Sequence, residues 1–388
     1  MTSATETGPV PLGTIAREWT RMGLIGFGGP PTHISLLRKL CVQQRGWIAA
    51  DEFEDAIAAC NLLPGPASTQ LAIWCGRRLR GPAGALIAGV CFIWPGLVMI
   101  LALSTLFLAA HPPVVVLGLA AGAGAAVPAV AVHAAWGLAP SSWKRIQGGT
   151  APRTGRARWI GYAVAGGAAA ALIGPFLVLV LVACGALEVV VRSRPASLAA
   201  VVPLALSTTA AGGLGALAWE AFKVGALSYG GGFVIIPLMQ HDAVQTYHWM
   251  TNARFLDAVA LGQITPGPVV LTVGVIGYAA AGYGGALLAV LVAFTPSFLF
   301  ILIGARYFAT LRANERVQAF LTGAGPAVIG AIAGSAIPLA LALGHGWQYA
   351  LLAGAALWLF LVRRGVVSAL LLSAGIGAVC ALAGLTVS

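Results

Sequence analysis

The sequence predicts an all-α polytopic membrane protein: two inverted-topology repeats joined by one extra transmembrane segment, with helices broken at Gly and Pro. Three observations predict it. The first is composition. Of 388 residues, 59% are hydrophobic and only 9% charged, against about 25% charged in a soluble domain. Mean hydropathy is +0.91. No soluble core hides that much apolar surface, so the solvent is a bilayer. The second is that the chain repeats itself. Glu18, Gly23, Gly28, Gly29, Trp47, Phe53, Asp55, Pro64, Gly65 and Pro66 recur as Glu220, Gly225, Gly230, Gly231, Trp249, Phe255, Asp257, Pro266, Gly267 and Pro268, each 202 residues on (220 − 18). Gly76, Gly81, Pro95 and Gly122 recur as Gly277, Gly282, Pro296 and Gly323, 201 residues on (277 − 76). The third is that equivalent loops carry opposite basic content.

In order, the apolar segments of the first half fall near 16–37, 54–75, 83–109, 113–137, 159–174 and 175–191. A joining segment covers 197–214. The second half gives 218–239, 256–280, 285–305, 318–343, 347–362 and 366–386. That makes about thirteen crossings, several short of the ~20 residues a span needs and therefore tilted or re-entrant. The repeats run over 14–192 and 217–388, with the linking segment in 193–216. Residues Met1 to Leu12 are polar and Pro-rich, without an apolar signal core, so the first hydrophobic segment is expected to be retained. Gly28-Gly29-Pro30-Pro31, Pro64-Gly65-Pro66, Gly230-Gly231-Gly232 and Pro266-Gly267-Pro268 interrupt helix-length segments. Pro removes a donor and Gly permits nonhelical dihedrals, so helices should break there. Such backbone at membrane depth must face protein or a water-filled cavity.

The odd joining segment predicts inversion, and the loops test it. Arg77, Arg78 and Arg80 match the uncharged 280–284. The loop 110–113 matches Arg306, Arg312 and Arg316. Lys144, Arg145, Arg153, Arg156 and Arg158 match 344–346, and Gly174-Pro175 matches Arg363-Arg364. Basic loops stay cytoplasmic, which puts the N-terminus in the cytoplasm and the C-terminus outside. Loop 38–50 disagrees: it carries Arg38, Lys39 and Arg45 on the expected outer side.

Charged groups inside membrane segments are costly and mark function. The first half has Glu18, Arg21, His33 and Asp55; the second has Glu220, Lys223 and Asp257, with Ile235 in place of His33. Inversion would bring Arg21 and Lys223 to one midplane site. Two cations and several broken-helix N-termini make an anion site there, and Gly at the breaks lets backbone N–H groups approach an oxyanion. The competing reading makes Glu18–Arg21 and Glu220–Lys223 ordinary i,i+3 ion pairs. Glu18, Asp55, Glu220 and Asp257 are candidates for coupling protons, and Asp55 and Asp257 alternatively cap helices. Glu188 and Arg192 form an i,i+4 pair. Trp47 and Trp249 are interfacial anchors. The pairs Gly122/Gly124 and Gly323/Gly325 fit close helix packing. Gly65→Val and Gly267→Val are expected to harm function more than the same change at Gly89, in an unbroken apolar stretch.

The net charge of +11 sits largely in short loops, where it sets orientation, so no nucleic-acid partner is implied. The six cysteines show no paired spacing and read as small buried hydrophobes. No catalytic, metal or cofactor motif is present, nor a nucleotide-binding motif, so energy would come from an ion gradient or a partner. Repeats of this kind point to a secondary transporter with its site where the halves meet. A redox protein or sensor is a distant alternative.

Gly26-Phe27-Gly28-Gly29-Pro30 with Leu63-Pro64-Gly65-Pro66 and Gln70 resembles the chromate ion transporter family. Ser228-Tyr229-Gly230-Gly231-Gly232 with Ile264-Thr265-Pro266-Gly267-Pro268 resembles the second copy in its long, two-domain members. The resemblance covers about residues 14–386. It implies a permease of the cytoplasmic (inner) membrane that exports chromate, a tetrahedral dianion shaped like sulfate, and confers chromate resistance. Residues alone say only an oxyanion, with sulfate the alternative substrate. The resemblance carries over to Gly28, Gly29, Pro30, Pro64, Gly65, Pro66 and their second-half counterparts; with the residues singled out above, the candidate binding set is Arg21, Gly28, Gly29, Pro30, His33, Pro64, Gly65, Pro66, Gln70, Lys223, Gly230, Gly231, Pro266, Gly267, Pro268 and Thr272. The partners are the oxyanion, the lipid bilayer and a second copy in a homodimer.

Overall fold

A computed structural model of the chain describes residues 10–61, 63–109, 111–147, 152–172, 177–192, 213–228, 235–304, 310 and 313–386. The expectations for Gly230, Gly231 and Gly232, and for most of the joining segment, lie outside the described residues. Among the described residues there are no strands. The helices are α1 (Leu12–Ile25), α2 (Pro30–Arg38), α3 (Ala50–Cys60), α4 (Ala67–Phe107), α5 (Val114–Gln147), α6 (Pro152–Leu172), α7 (Leu177–Arg192), α8 (Leu214–Leu227), α9 (Ile236–Gln240), α10 (Asn252–Ile264), α11 (Thr272–Gly304), α12 (Glu315–Leu341), α13 (Gly346–Phe360) and α14 (Val366–Leu382). Four of them, α4, α5, α11 (with the 3-10 turn Val269–Leu271 before it) and α12, are long and apolar enough to cross a membrane. The chain is an all-α polytopic membrane protein.

The sequence repeat is also a repeat of backbone geometry. Helix α4 is bent at Arg80 (φ −147°, ψ 27°) and Gly81 (φ 64°, ψ −154°). Helix α11 is bent at Ala281 (φ −153°, ψ 32°) and Gly282 (φ 62°, ψ −151°). Both glycines take the left-handed φ that side chains resist. The π-helical turns Lys39–Gln44 and His241–Thr246 lie 202 residues apart (241 − 39), and Phe53 and Phe255 are both fully buried.

The helices break at Gly26–Gly29, around Pro64–Pro66 and around Pro266–Pro268, where Pro and Gly were expected to break them. The path of the chain corrects the thirteen-crossing scheme. Segments 16–37 and 54–75 are not single crossings; each is a pair of half-length helices folded back on itself. Arg45, past α2, reaches Glu18 on α1 at 3.7 Å. Arg78 on the first arm of α4 pairs with Glu52 on α3. Lys223 on α8 pairs with Asp242 beyond α9. In each case residues far from the break on both sides meet, which a straight broken helix would forbid. The first two hairpins therefore have their tips at Gly26–Gly29 and Pro64–Pro66 and their mouths at the opposite end; the turn of the third lies outside the described residues. A half-helix of 11 to 14 residues rises about 16–21 Å, enough to reach membrane depth and return.

This geometry removes the anomaly of loop 38–50. Arg38 pairs with Glu54, Arg78 with Glu52 and Arg45 with Glu18, so loop 38–50 lies beside the start of α3 and the bend of α4 rather than at the far end of a straight crossing. Arg192 at the end of α7 lines one cavity with Glu315 and Arg316 at the start of α12, so those ends share a face. The glycine pairs divide their work. A side chain at Gly122 would strike α14 at Ser373, and one at Gly323 would strike α7 at Cys184, whereas Gly124 and Gly325 line cavities.

Candidate functional site

The hairpin tips of the two halves meet. The Gly267 N–H donates to the Gly26 carbonyl at 3.0 Å, joining the second Pro-Gly-Pro turn to the first glycine break. Pro266 O presses against Gly96 in α4, where only a glycine leaves room. Conversely, a Cβ at Gly65 would lie 3.2 Å from Ser297 Oγ on α11 and 3.3 Å from Gly225 O on α8. Each Pro-Gly-Pro turn thus inserts into the other half. Gly65 (φ 112°) and Gly267 (φ 104°) hold equivalent left-handed conformations, and the flanking prolines leave each turn only the glycine N–H as donor between them.

His33 ties this junction together. It is fully buried. Its Nε2 lies 2.9 Å from Gly26 O and its Nδ1 3.1 Å from Ser68 Oγ. A carbonyl only accepts, so Nε2 carries the proton, and Nδ1 of the neutral ring accepts from the Ser68 hydroxyl. The ring stands edge-on to Phe92 at 5.0 Å. His33 therefore links the first tip to the N-terminus of α4 and, through Gly26 O, to the second half.

Around the junction lie buried polar atoms without a hydrogen-bond partner among the described residues: Thr69 Oγ1, Gln70 Oε1, Ser228 Oγ, Gln263 Nε2 and Ser297 Oγ. Thr69, Gln70, Ser228 and Ser297 are 0% exposed. An unmet buried polar group costs about 1–3 kcal/mol, so a cluster of them implies something that satisfies it. Gln70 Nε2 also holds Pro64 O at 2.7 Å, shaping the turn. Thr272, at the place equivalent to Gln70, is satisfied within its own turn by Val269 O at 2.8 Å. The first N–H groups of α4 begin at this point, with the positive end of the helix dipole. A cavity of about 210 Å3 lined by Asn61, Gly65, Ala67, Ser141, Ser142 and Gly325 leads to the first turn.

The two cations do not meet as expected. Arg21 is 70% exposed and lies 3.8 Å from Glu18, which Arg17 (3.2 Å) and Arg45 also approach. Lys223 sits 2.7 Å from Glu220 and bonds Asp242. Each cation is thus paired with acids of its own half, Arg21 with Glu18 and Lys223 with Glu220 and Asp242. The paired acids differ in setting too. Asp55 is exposed on α3. Asp257 lines a smaller cavity, about 90 Å3, with Gly124, His345 and Gln348. Glu188 pairs with Arg192 (2.7 Å) as its spacing indicated, and also with Arg158 (2.9 Å) and Tyr162 (3.1 Å).

Sequence reading missed Ser68, Thr69, Ser228, Gln263, Ser297 and Asp242. A signal existed for two of them: Ser228 stands where the first half has Gly26 (228 − 26 = 202), and Ser297 where it has Gly96 (297 − 96 = 201). Hydroxyls in place of repeat glycines mark where the halves differ.

The family described as "Chromate transporter" matches residues 13–189 and 215–384. A "Chromate transport protein" of Cupriavidus metallidurans is 32% identical over 332 residues, 82% of this chain and 80% of the relative. A "Chromate transport protein" of Pseudomonas aeruginosa is 30% identical over 351 residues, 87% of this chain and 84% of the relative. A "Probable chromate transport protein" of Synechococcus elongatus is 28% identical over 344 residues, 84% of each. No solved structure matches the chain.

Proposed function

The chain belongs to the chromate transporter family, and from that premise we propose that it exports chromate through the junction of its hairpin tips, conferring chromate resistance. The observation that carries this reading is the group of buried polar atoms at the junction without a partner among the described residues, four of them able to donate (Thr69 Oγ1, Ser228 Oγ, Gln263 Nε2 and Ser297 Oγ), beside a cavity at Gly65. A tetrahedral dianion there meets the Gly65 N–H, the first N–H groups of α4, the Thr69, Ser228 and Ser297 hydroxyls and the Gln263 side-chain N–H, while Gln70 shapes the turn through Pro64 O. Gly28, Gly29, Pro30, Pro64, Pro66, Pro266 and Pro268 shape the turns that present them, and His33 holds the first tip in place. Neutral donors suit a carrier, whose site must bind well enough to admit the ion and weakly enough to release it.

The membrane is the cytoplasmic one, with the basic face inward. The two halves run inverted, with the N-terminus inside and the C-terminus outside. Equivalent bends, equivalent tips and opposite loop charge support this. Export then has a source of energy: an inside-negative potential drives a dianion outward with ~2.3 kcal/mol per charge per 100 mV. At the inner mouth, Arg17, Arg21 and Arg45 around a single Glu18 raise the local concentration of dianions.

Everted membrane vesicles test the reading. Radiolabelled chromate should accumulate in vesicles that contain the protein when the interior is positive. Accumulation of labelled sulfate with no chromate uptake would establish the second reading, a sulfate permease, for which the same charge and shape speak. Uptake of neither anion refutes both.

A further inference from the structure

We propose that Glu220, Lys223 and Asp242 form a proton-binding site whose proton exchanges against the transported oxyanion; this rests on the transport reading above. The equivalent place in the first half is over-supplied with cations, three arginines around Glu18, and its arginines are largely exposed. The second half reverses the balance. Two carboxyl groups share one ammonium: Lys223 Nζ lies 2.7 Å from Glu220 Oε2 and bonds Asp242 Oδ2. Glu220 is 0% exposed, its Oε1 has no partner among the described residues, and the Asp242 side chain is 9% exposed. With both acids ionised the cluster would bury a net negative charge, which protein interiors do not tolerate. One proton shared between the carboxyls makes it neutral, and two carboxyls on one nitrogen are close enough to share it.

Among the described residues no second lysine or arginine reaches the cluster, and the one further titratable group that faces it is His241. On α8 the titratable neighbour is Lys223. On the turn after α9 they are Asp242 itself and His241, which faces Asp242, and the Thr246 hydroxyl reaches Asp242 Oδ1 at 3.4 Å. Helix α11, packed along α8, presents Ala293 at Gly225, and its Tyr278 and Tyr283 are engaged with each other. The site also has a means of release. It clasps the mouth of the α8/α9 hairpin, joining residues on both arms. Opening that mouth separates Asp242 from Glu220 and lets in water, where both acids ionise and the proton leaves. The same hairpin carries Ser228 and Gly225 to the oxyanion junction, so proton and oxyanion bias one movable element in opposite senses, and their effects on each other are reciprocal.

Two measurements on the full-length protein test this. In detergent at neutral pH, infrared difference spectra should show a buried protonated carboxyl, lost in Glu220→Gln or Asp242→Asn. This readout needs no substrate, so it stands even if chromate proves the wrong anion; absence of the band overturns the proposal. In liposomes clamped at zero voltage, a pH gradient should shift the wild-type chromate distribution about tenfold per pH unit for one proton. Glu220→Gln should remove that shift while keeping potential-driven flux and chromate self-exchange. A wild type indifferent to the gradient, or a variant that keeps the full pH response, overturns the coupling. So does loss of self-exchange in a correctly inserted variant, which would make the triad purely structural. No self-exchange in the wild type would instead refute the chromate reading.

Discussion

At the scale of residues, the turn glycines and the equivalent cations give the sharpest tests. Gly65→Val puts a β-branched side chain at φ 112°, with its Cβ 2.6 Å from Gln70 Nε2 and close to Ser297 and Gly225. Transport should fall at least about tenfold, because the strain of ~1–3 kcal/mol lies in the site itself. Gly89 is not the neutral comparison its apolar setting suggested, since a side chain there would strike Phe298; Gly161, with nothing within 4 Å, is one. Equal flux in Gly65→Val and Gly161→Val would remove the first turn from the site. The two cations should now differ. Arg21 is exposed, and Arg17 and Arg45 also serve Glu18, so Arg21→Ala should leave folding intact and slow chromate entry modestly, more so at low salt. Lys223→Ala strips the ammonium that two buried acids share and should cost about 3–5 kcal/mol, read as a lower unfolding temperature in detergent. Similar behaviour of the two variants would contradict their different settings. His33→Ala should loosen the junction by about 1–3 kcal/mol, as it abandons both Gly26 O and Ser68 Oγ.

At the scale of elements, the re-entrant hairpin is the unit that matters, and it makes a prediction that single crossings do not. In a cysteine-free background, single cysteines at Gln43 and Arg80 should react with a membrane-impermeant thiol reagent from the same face. A cysteine at Gly282 should react from the other. Reaction of Gln43 from the face of Gly282 would restore the straight crossing and return loop 38–50 to the outer side. The Pro-Gly-Pro pattern made the breaks legible, because Pro and Gly act on their own backbone. The reversal of direction was not legible. It is set by pairs such as Glu18–Arg45 and Glu52–Arg78, 27 and 26 residues apart (45 − 18; 78 − 52), and nothing in a local pattern links such residues.

At the scale of the whole molecule, the interlock of tips accounts for the duplication. Each Pro-Gly-Pro turn completes its packing against the other half, through Gly96 for one and Ser297 for the other, so neither half buries its own turn alone. Gly96→Leu should therefore disturb the second turn, 170 residues away in sequence (266 − 96), and impair transport without touching the first-turn donors; normal flux in that variant would mean the interlock is dispensable. The sequence by itself determined the membrane setting, the helical class, the repeat, the break positions and the family likeness. All of these follow from composition, local backbone preference and patterns that persist along the chain. Only the tertiary structure decided that the broken segments fold back, that Arg21 and Lys223 are each paired within their own half, and that hydroxyls and amides crowd the junction. Those outcomes depend on which distant groups become neighbours, and at membrane depth that is settled by the need to satisfy every polar atom inside the protein.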